Sequence, residues 1–397
     1  MTNFSDLKER VIDVGLCNGC GTCVGVCPVN AIRINYESDE PEPILVGNCI
    51  DCGLCYEVCT GHEVIYHEIE ERIFGRTRKG KLENDIGVYM NCLMARAAKK
   101  DIRDNSSSGG LATALVIYAL EKKIIDGVIF AGHQKNSWKF EPLIATTTEQ
   151  FIRSKAKTAL VMVPVNSVLR KATQELNLRK LCIIGLPCHI QGIRKIQLNE
   201  RLKNISQRIV LTIGLFCASN YYLKGTEHLI LEFSNVNSLN DVEQVDYRGG
   251  EWPGYLVVKT KKGEQLKVSS KHEYTWHFLG PSYKRDFCLM CIDFSSELAD
   301  ISLGDVFIPL EDDPRWNAVL IRSKIGEELI KGAVKEGYIE IREYNPEMIT
   351  SSGLGWEAKR HANAYRLIQR KRFKWPTPNY GYIPDIKPKK RKLYFPK

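Results

Sequence analysis

Eight of the fourteen cysteines fall into two copies of one spacing, C-x2-C-x2-C-x3-C: Cys17, Cys20, Cys23, Cys27 and then Cys49, Cys52, Cys55, Cys59. Thiolates at this spacing wrap the backbone around an iron–sulfur cubane, three from one run on one cluster while the fourth reaches across to its neighbour. The spacing assigns Cys17, Cys20, Cys23 and Cys59 to one 4Fe-4S cluster, and Cys49, Cys52, Cys55 and Cys27 to a second. The chemistry is one-electron transfer. A proline follows the fourth cysteine of the first run, Pro28, whereas Thr60 follows that of the second. Paired cysteines also serve zinc sites and disulfide frameworks. Zinc favours two pairs separated by a longer loop, so three cysteines at x2 spacing and a fourth after x3 suit a tetrahedral ion poorly. A disulfide framework needs an oxidising compartment, whereas MTNFSDLKER is polar and carries no secretory signal; a reducing, anaerobic cytoplasm is expected.

Four more cysteines stand in other motifs: Cys188 in GLPCHIQG, Cys217 in IGLFCASN, and Cys288 with Cys291 in FCLMCIDF. The first two end apolar, strand-like runs, the edge at which α/β sheets gather ligands. From spacing alone the four could hold a third cluster or a zinc ion or be unrelated thiols, and Cys188 beside His189 could be a nucleophile. Cys92 and Cys182 belong to no motif and read as small buried hydrophobes. The run Ser106-Ser107-Ser108-Gly109-Gly110 precedes a helical pattern. Its amides and hydroxyls could hold a phosphate, although serine and glycine at that place also serve as a plain helix cap.

The elements that must position these residues follow from pattern. With 397 residues and 44% hydrophobic content, two or three domains are expected. Residues 1–75 read as a bacterial-type two-cluster ferredoxin domain, closed by HEVIYHEIEERIF at 62–74 with its alternating pattern. A charged, glycine-containing linker follows over 76–88. The body, 89–350, has α/β texture: helix at SSSGGLATALVIYALEKK, strand at IIDGVIFAG, and strands at LCIIGLP and IVLTIGLFC around a helix at HIQGIRKIQ. Parallel pairing of those strands is expected. The fold class is thus α+β with α/β, a ferredoxin domain followed by an α/β body. Residues 351–397 form a basic C-terminal extension.

The net charge is +9, and much of it lies in RKRFK at 370–374 and KPKKRK at 387–392. No nucleic-acid recognition module accompanies these runs, so no nucleic-acid partner is expected; they read as a solvated arm for an acidic partner subunit. The longest apolar runs, 111–120 and 209–219, are about half the roughly 20 residues of a membrane span. No direct span is expected, and any membrane association would come through a partner.

With these motifs in hand, the chain resembles the coenzyme F420 hydrogenase beta-subunit family over about residues 85–350. The resemblance rests on SSGGLATALVIYALEKKIIDGVIFAG, GLPCHIQGIRK, IGLFCASN, DYRGGEWPGYLVV and CLMCIDFSSELADISLGD, in that order. It implies a flavoprotein body that binds FAD and one 4Fe-4S cluster and exchanges a hydride with the deazaflavin F420. The family's cluster ligands carry over to Cys188, Cys217, Cys288 and Cys291, making three 4Fe-4S clusters in all. Ser108, Gly109, Gly110 and Thr113 would lie at FAD, as would Ser154 and Lys155, while Pro187 and His189 would approach the flavin beside a cluster ligand. Relatives often carry an acidic residue before the glycines, where this chain has SSSGG. Lys155, His189 and Arg248 are expected as cations near anionic cofactor or substrate.

The fused ferredoxin module is similar to the arrangement in electron-input subunits of F420H2 dehydrogenases, which feed quinone or methanophenazine complexes in anaerobic, methane-producing archaea. The resemblance thus implies an F420H2 dehydrogenase subunit, cytoplasmic or peripheral on the cytoplasmic side of a membrane-bound complex, with a redox protein or that complex as partner. A flavin would convert a two-electron hydride into single electrons for the clusters. Two other readings fit the same motifs. One is an electron-transfer adaptor without F420 activity; the other is a reductase resembling the 7-hydroxymethyl chlorophyll a reductases, acting on a different conjugated ring.

Overall fold

The computed structural model describes residues 2–37, 39–306, 313–351 and 354–384. Strands β1 (Ile32–Asn35) and β2 (Glu42–Leu45) form an antiparallel pair in the N-terminal module. The body contains β3 (Asn91–Ala97), β4 (Gly127–His133), β5 (Phe140–Ala145), β6 (Leu181–Gly185) and β7 (Ile209–Leu215). It continues with β8 (Val242–Gly249), β9 (Tyr255–Thr260), β10 (Gln265–Ser270), β11 (Ile301–Asp305), β12 (Asn317–Ile321) and β13 (Ile339–Glu343). Eight of these make one mixed sheet in the order β13-β3-β12-β11-β7-β6-β4-β5, and β10-β9-β8 make a small antiparallel sheet. The centre is parallel, β11 with β7, β7 with β6 and β6 with β4, as the apolar runs suggest. The flanking pairs are antiparallel, so the sheet is mixed.

Side-chain alternation gives this sheet two buried faces. Cys182 and Ile184 of β6 face one side with Val128 and Phe130, where they meet the first long helix of the body, Leu111–Glu121, and a later one, Lys324–Lys335. Leu181 and Ile183 face the other side with Ile129, against Ile193 and Ile196 of the helix Pro187–Gln197 and against the small sheet. Each such fully buried aliphatic side chain contributes about 2 kcal/mol. Cys182 is fully buried, as expected, whereas Cys92 on β3 is only partly buried and its thiol is pushed up to about 12 by burial.

In the N-terminal module each cysteine run turns at a glycine in the left-handed region, Gly21 at φ +80° and Gly53 at φ +75°, between the second and third cysteines. A side chain at Gly21 would also meet the Pro164 carbonyl oxygen at 2.8 Å. The alternation over 62–74 yields a helix, Tyr66–Phe74, because Tyr66, Ile69 and Glu70 recur at three- and four-residue spacing and share the buried face. The charged stretch 76–88 carries the helix Gly80–Ile86, with Ile86 fully buried.

Basic side chains of the body hold the cysteine loops. Arg170 donates to the Cys27 carbonyl at 2.7 Å, Lys195 to that of Cys59 at 3.0 Å, Arg201 to that of Cys52 at 2.6 Å and Arg285 to that of Asn18 at 2.8 Å. The positive charge of the body thus serves in part to anchor its own redox module. The C-terminal extension also turns back on the chain: Val64 N–H donates to the Asn379 carbonyl at 2.7 Å, and Asn379 N–H to that of His62 at 3.0 Å. The run at 370–374 closes the helix Ala364–Arg372; the second basic run, 387–392, lies outside the described residues. Among the described residues no helix is long and apolar enough to cross a membrane.

Candidate functional site

The first two predicted ligand sets are gathered as the spacing requires. Burial, then Cys59 and Cys20, pushes the Cys17 thiol up to about 12, and Cys23 is raised well above its usual range by burial and by Cys17, Cys20 and Cys59. Burial, then Cys52, Cys49 and Cys27, pushes Cys55 up to about 12. Four thiols crowded in a buried pocket are unfavourable as bare thiolates, and bound cations reverse that cost. Among the described residues no three His, Cys, Asp or Glu converge to hold a single metal ion. A cubane asks for something else, thiolates spread around a larger body.

Thr60, standing where proline follows the first run, is fully buried. Its hydroxyl accepts from the Asn18 amide at 2.6 Å and so has its own proton free for Cys20 Sγ, 3.7 Å away. Backbone amides of Ala31 and Asp51 donate to Cys27 and Cys49 Sγ at 3.3 and 3.4 Å.

The later four cysteines also meet. Cys188 starts the helix Pro187–Gln197, Cys217 follows β7, and Cys288 lies in the turn Asp286–Leu289, three residues before Cys291. Burial raises the Cys188 thiol first, then Cys20, Cys217, Cys291 and Cys288. Cys188 and Cys20 share one buried apolar cluster with Met162. In turn, Cys55 of the second run is among the neighbours of Cys23. The Cys17 group thus neighbours both the Cys188 group and the Cys49 group.

At the carboxyl ends of the parallel strands lies a cavity of about 1070 Å³, at the upper end of the volumes typical of cofactor sites. Cys217 forms part of its wall, as do Leu186 and His189 on either side of Cys188. The wall also includes Ser106, Ser107, Ser108, Gly110 and the first turn of the helix Leu111–Glu121, an arrangement that favours an anion. Lys155, Lys157, Arg248, Lys271 and Lys284 supply cations, with Asp305 and Glu357 as the acids. Phe216, Trp276 and Trp356 offer aromatic faces. Arg248 Nη1 grips both oxygens of Asp305, at 2.9 and 3.1 Å, and its Nη2 has no hydrogen-bond partner. Against burial, which would raise it, Arg248 and then Lys271 hold the Asp305 carboxyl down to about 2. Gly304 admits Phe216 to the wall, because a Cβ there would sit 2.0 Å from its ring. Size, excess positive charge and the orphaned guanidinium nitrogen fit a large, aromatic, anionic cofactor such as FAD.

Of the residues expected at the cofactors, Ser108, Gly110, Thr113, Lys155, His189 and Arg248 line the cavity, whereas Gly109, Ser154 and Pro187 are not among its lining residues. Ser154 turns its hydroxyl back to the Gln150 carbonyl at 2.7 Å, and Ser108 donates to that of Trp316 at 3.0 Å. His189 is not the cation expected. Its Nδ1 accepts from Leu186 N–H at 3.0 Å, which leaves the proton on Nε2, 2.9 Å from the Val163 carbonyl, and burial lowers its pKa to about 4. No motif singles out Lys157, Lys271, Asp305 or the tryptophans. The one signal in the chain is the place of Asp305, at the carboxyl end of the strand ISLGD.

A ligand cavity at the parallel-strand ends, walled in part by one of three cysteine groups, defines the class: an iron–sulfur oxidoreductase. The family models sharpen it. "Coenzyme F420 hydrogenase/dehydrogenase, beta subunit N-term" matches residues 92–170, its counterpart for the C terminus of the same beta subunit matches 178–347, and a "4Fe-4S dicluster domain" matches 9–60. The coenzyme F420 hydrogenase subunit beta of Methanosarcina barkeri is 32% identical over 72% of this chain and 94% of its own length. One subunit of the F(420)H(2) dehydrogenase of Methanosarcina mazei is 28% identical over 89% of this chain and 92% of its own. A solved chain of the F420-reducing [NiFe] hydrogenase complex from Methanosarcina barkeri superposes with TM-score 0.60 at 30% identity, covering 75% of this chain and 97% of that one. The chain belongs to the coenzyme F420 hydrogenase/dehydrogenase beta-subunit family.

Proposed function

We propose that this chain is the electron-input subunit of an F420H2 dehydrogenase: it takes a hydride from F420H2 onto FAD held in the cavity and passes the electrons singly through three 4Fe-4S clusters to a partner protein or complex. The observation that carries the reading is the shared wall, Cys217 lining the cavity while Cys188 packs against Cys20. FAD, when bound, supplies the conversion of one hydride into two single electrons.

The chain's own residues do the rest. The first turn of the helix Leu111–Glu121, with Lys155, Lys157 and the Arg248–Asp305 pair, binds and orients the anionic groups. Phe216, Trp276 and Trp356 offer stacking faces and exclude water from the rings. The four later cysteines would hold the cluster beside the cavity, the Cys17 group the next and the Cys49 group the last, where Cys49 and Cys52 are partly exposed; the clusters would supply the one-electron path. For each F420H2 oxidised, two electrons enter the clusters and two protons pass to solvent.

Anaerobic titration tests the reading. F420H2 bleaches the bound flavin and then reduces the clusters, whereas NADH and NADPH do neither; bleaching by NADH alone overturns it, and a flavin inert to F420H2 leaves an electron-transfer adaptor.

A further inference from the structure

The family models end at residue 347, but the described chain continues to 384. From Gly355 and Trp356 at the cavity wall, this continuation crosses the Cys188 group and ends clamped to His62 and Val64 of the ferredoxin module. Three of its side chains face the cysteines. Asn363 donates to the Cys288 carbonyl at 2.7 Å and to that of Cys291 at 2.6 Å, so one amide holds both ends of the CxxC turn. Lys359, one helical turn earlier and on the same face, is 1% exposed, with the thiols of Cys291, Cys217 and Cys288 among its neighbours. Tyr380 is 2% exposed and has a hydroxyl without a hydrogen-bond partner, with Cys291, Cys188 and Cys288 among its neighbours.

A buried ammonium is costly unless an anion faces it. The groups that act most strongly to keep Lys359 charged are the thiols of Cys291, Cys217 and Cys288. A cluster bound by four thiolates is such an anion, and it becomes more negative when reduced.

We propose that this C-terminal clasp sets the reduction potential of the third cluster: Lys359 as a buried counter-charge and Tyr380 as a hydroxyl donor favour its reduced form, while Asn363 fixes the turn that carries Cys288 and Cys291. The step served is the addition of one electron from the flavin to the cluster, with no bond made or broken. In a low-dielectric interior a neighbouring cation acts strongly on such a step, and hydrogen bonding and nearby charge are the protein's means of moving a cluster's potential. The inference rests on the reading that Cys188, Cys217, Cys288 and Cys291 bind a cluster.

The test is an anaerobic redox titration of the full chain, followed by electron paramagnetic resonance, with iron counted in each sample. At the potential where the wild-type third cluster is half reduced, the ratio of reduced to oxidised cluster in Lys359→Met is expected to be about tenfold lower, roughly 59 mV for one electron. Lys359→Arg restores the wild-type midpoint, and Tyr380→Phe shifts it in the same direction as Lys359→Met by a smaller amount. Unchanged midpoints in both Lys359→Met and Tyr380→Phe, at full iron content, overturn the inference. Should Lys359→Met lose iron, Tyr380→Phe alone decides it by the same criterion. About eight iron per wild-type chain, in place of about twelve, overturns the cluster reading itself, a failure recognisable before any variant is made.

Discussion

Cys20 of the first cysteine run and Cys188 at the end of a central body strand lie in one buried apolar cluster, joined by Met162. That contact puts the Cys188 group beside the Cys17 group. The Cys17 group stands between the cavity side and the Cys49 group, because Cys23 in turn has Cys55 among its neighbours. Removing the middle group therefore cuts the path without touching the cavity. In Cys20→Ala, F420H2 is expected to bleach the flavin at near the wild-type rate while reduction of the Cys49-group cluster slows at least about tenfold. Rapid-mix freezing with paramagnetic resonance reads both; equal rates would place the groups in some other order.

The cluster count is set by cysteine chemistry. Purified anaerobically, the chain should hold about twelve iron and twelve sulfide, and Cys217→Ser should lose about four of each while the N-terminal signals persist.

Lys155 gives the cavity a pH dependence. Burial, and then Lys157, lowers its pKa to about 8, with Asp246 opposing; His133 also faces this group. The ammonium is charged below about 8 and neutral above it, so attraction for an anionic substrate is present at pH 7 and fades by pH 9. The value of kcat/KM for F420H2, which reports the free enzyme, should fall with a midpoint near 8, mainly through KM. Lys155→Met should flatten that profile and Lys155→Arg should hold the low-pH value throughout.

Gly304 leaves room for Phe216, whose ring would lie 2.0 Å from an added Cβ. Gly304→Val should push that ring into the cavity and cut bound FAD at least several-fold, with iron content unchanged. Flavin absorbance against iron is the measurement.

Glu297 ties the clasp to the linker. Fully buried, it pairs with Arg360 and, at 3.0 Å, with Arg78, which also pairs with the buried Glu70 of the helix Tyr66–Phe74. Removing one partner of a buried ionic group leaves charge uncompensated, at about 3 kcal/mol or more. Glu297→Ala should lower stability to denaturant by that amount, read from the unfolding midpoint of the intact holoprotein.

Much of this architecture is legible in the chain because it is local. The strands at 181–187 and 209–217, their parallel pairing and the helix between them follow from apolar runs of strand length and from the period of the segment that joins them. The apolar residues at 62–74 fit helical spacing as well as alternation, and a helix brings Tyr66, Ile69 and Glu70 to one face. His189 reads as a cation in the sequence because a histidine beside a cluster ligand in a basic chain invites it. Its charge is decided by the Leu186 amide and the Val163 carbonyl, the latter from a distant segment that no periodicity reveals.

The sequence by itself determined the ligand types and their grouping within each run, since C-x2-C-x2-C-x3-C constrains a few adjacent backbone turns, with the fourth cysteine of each run left to reach its neighbour. It also determined the glycine-rich turn before the helix Leu111–Glu121, a local feature again. Only the tertiary structure decided that Cys188 reaches Cys20, that Cys217 enters the cavity wall, and that Lys359 and Tyr380 return from the end of the chain to face the same cysteines. Those relationships join residues far apart in sequence, and their geometry is set by how the two faces of the sheet and the ferredoxin module pack.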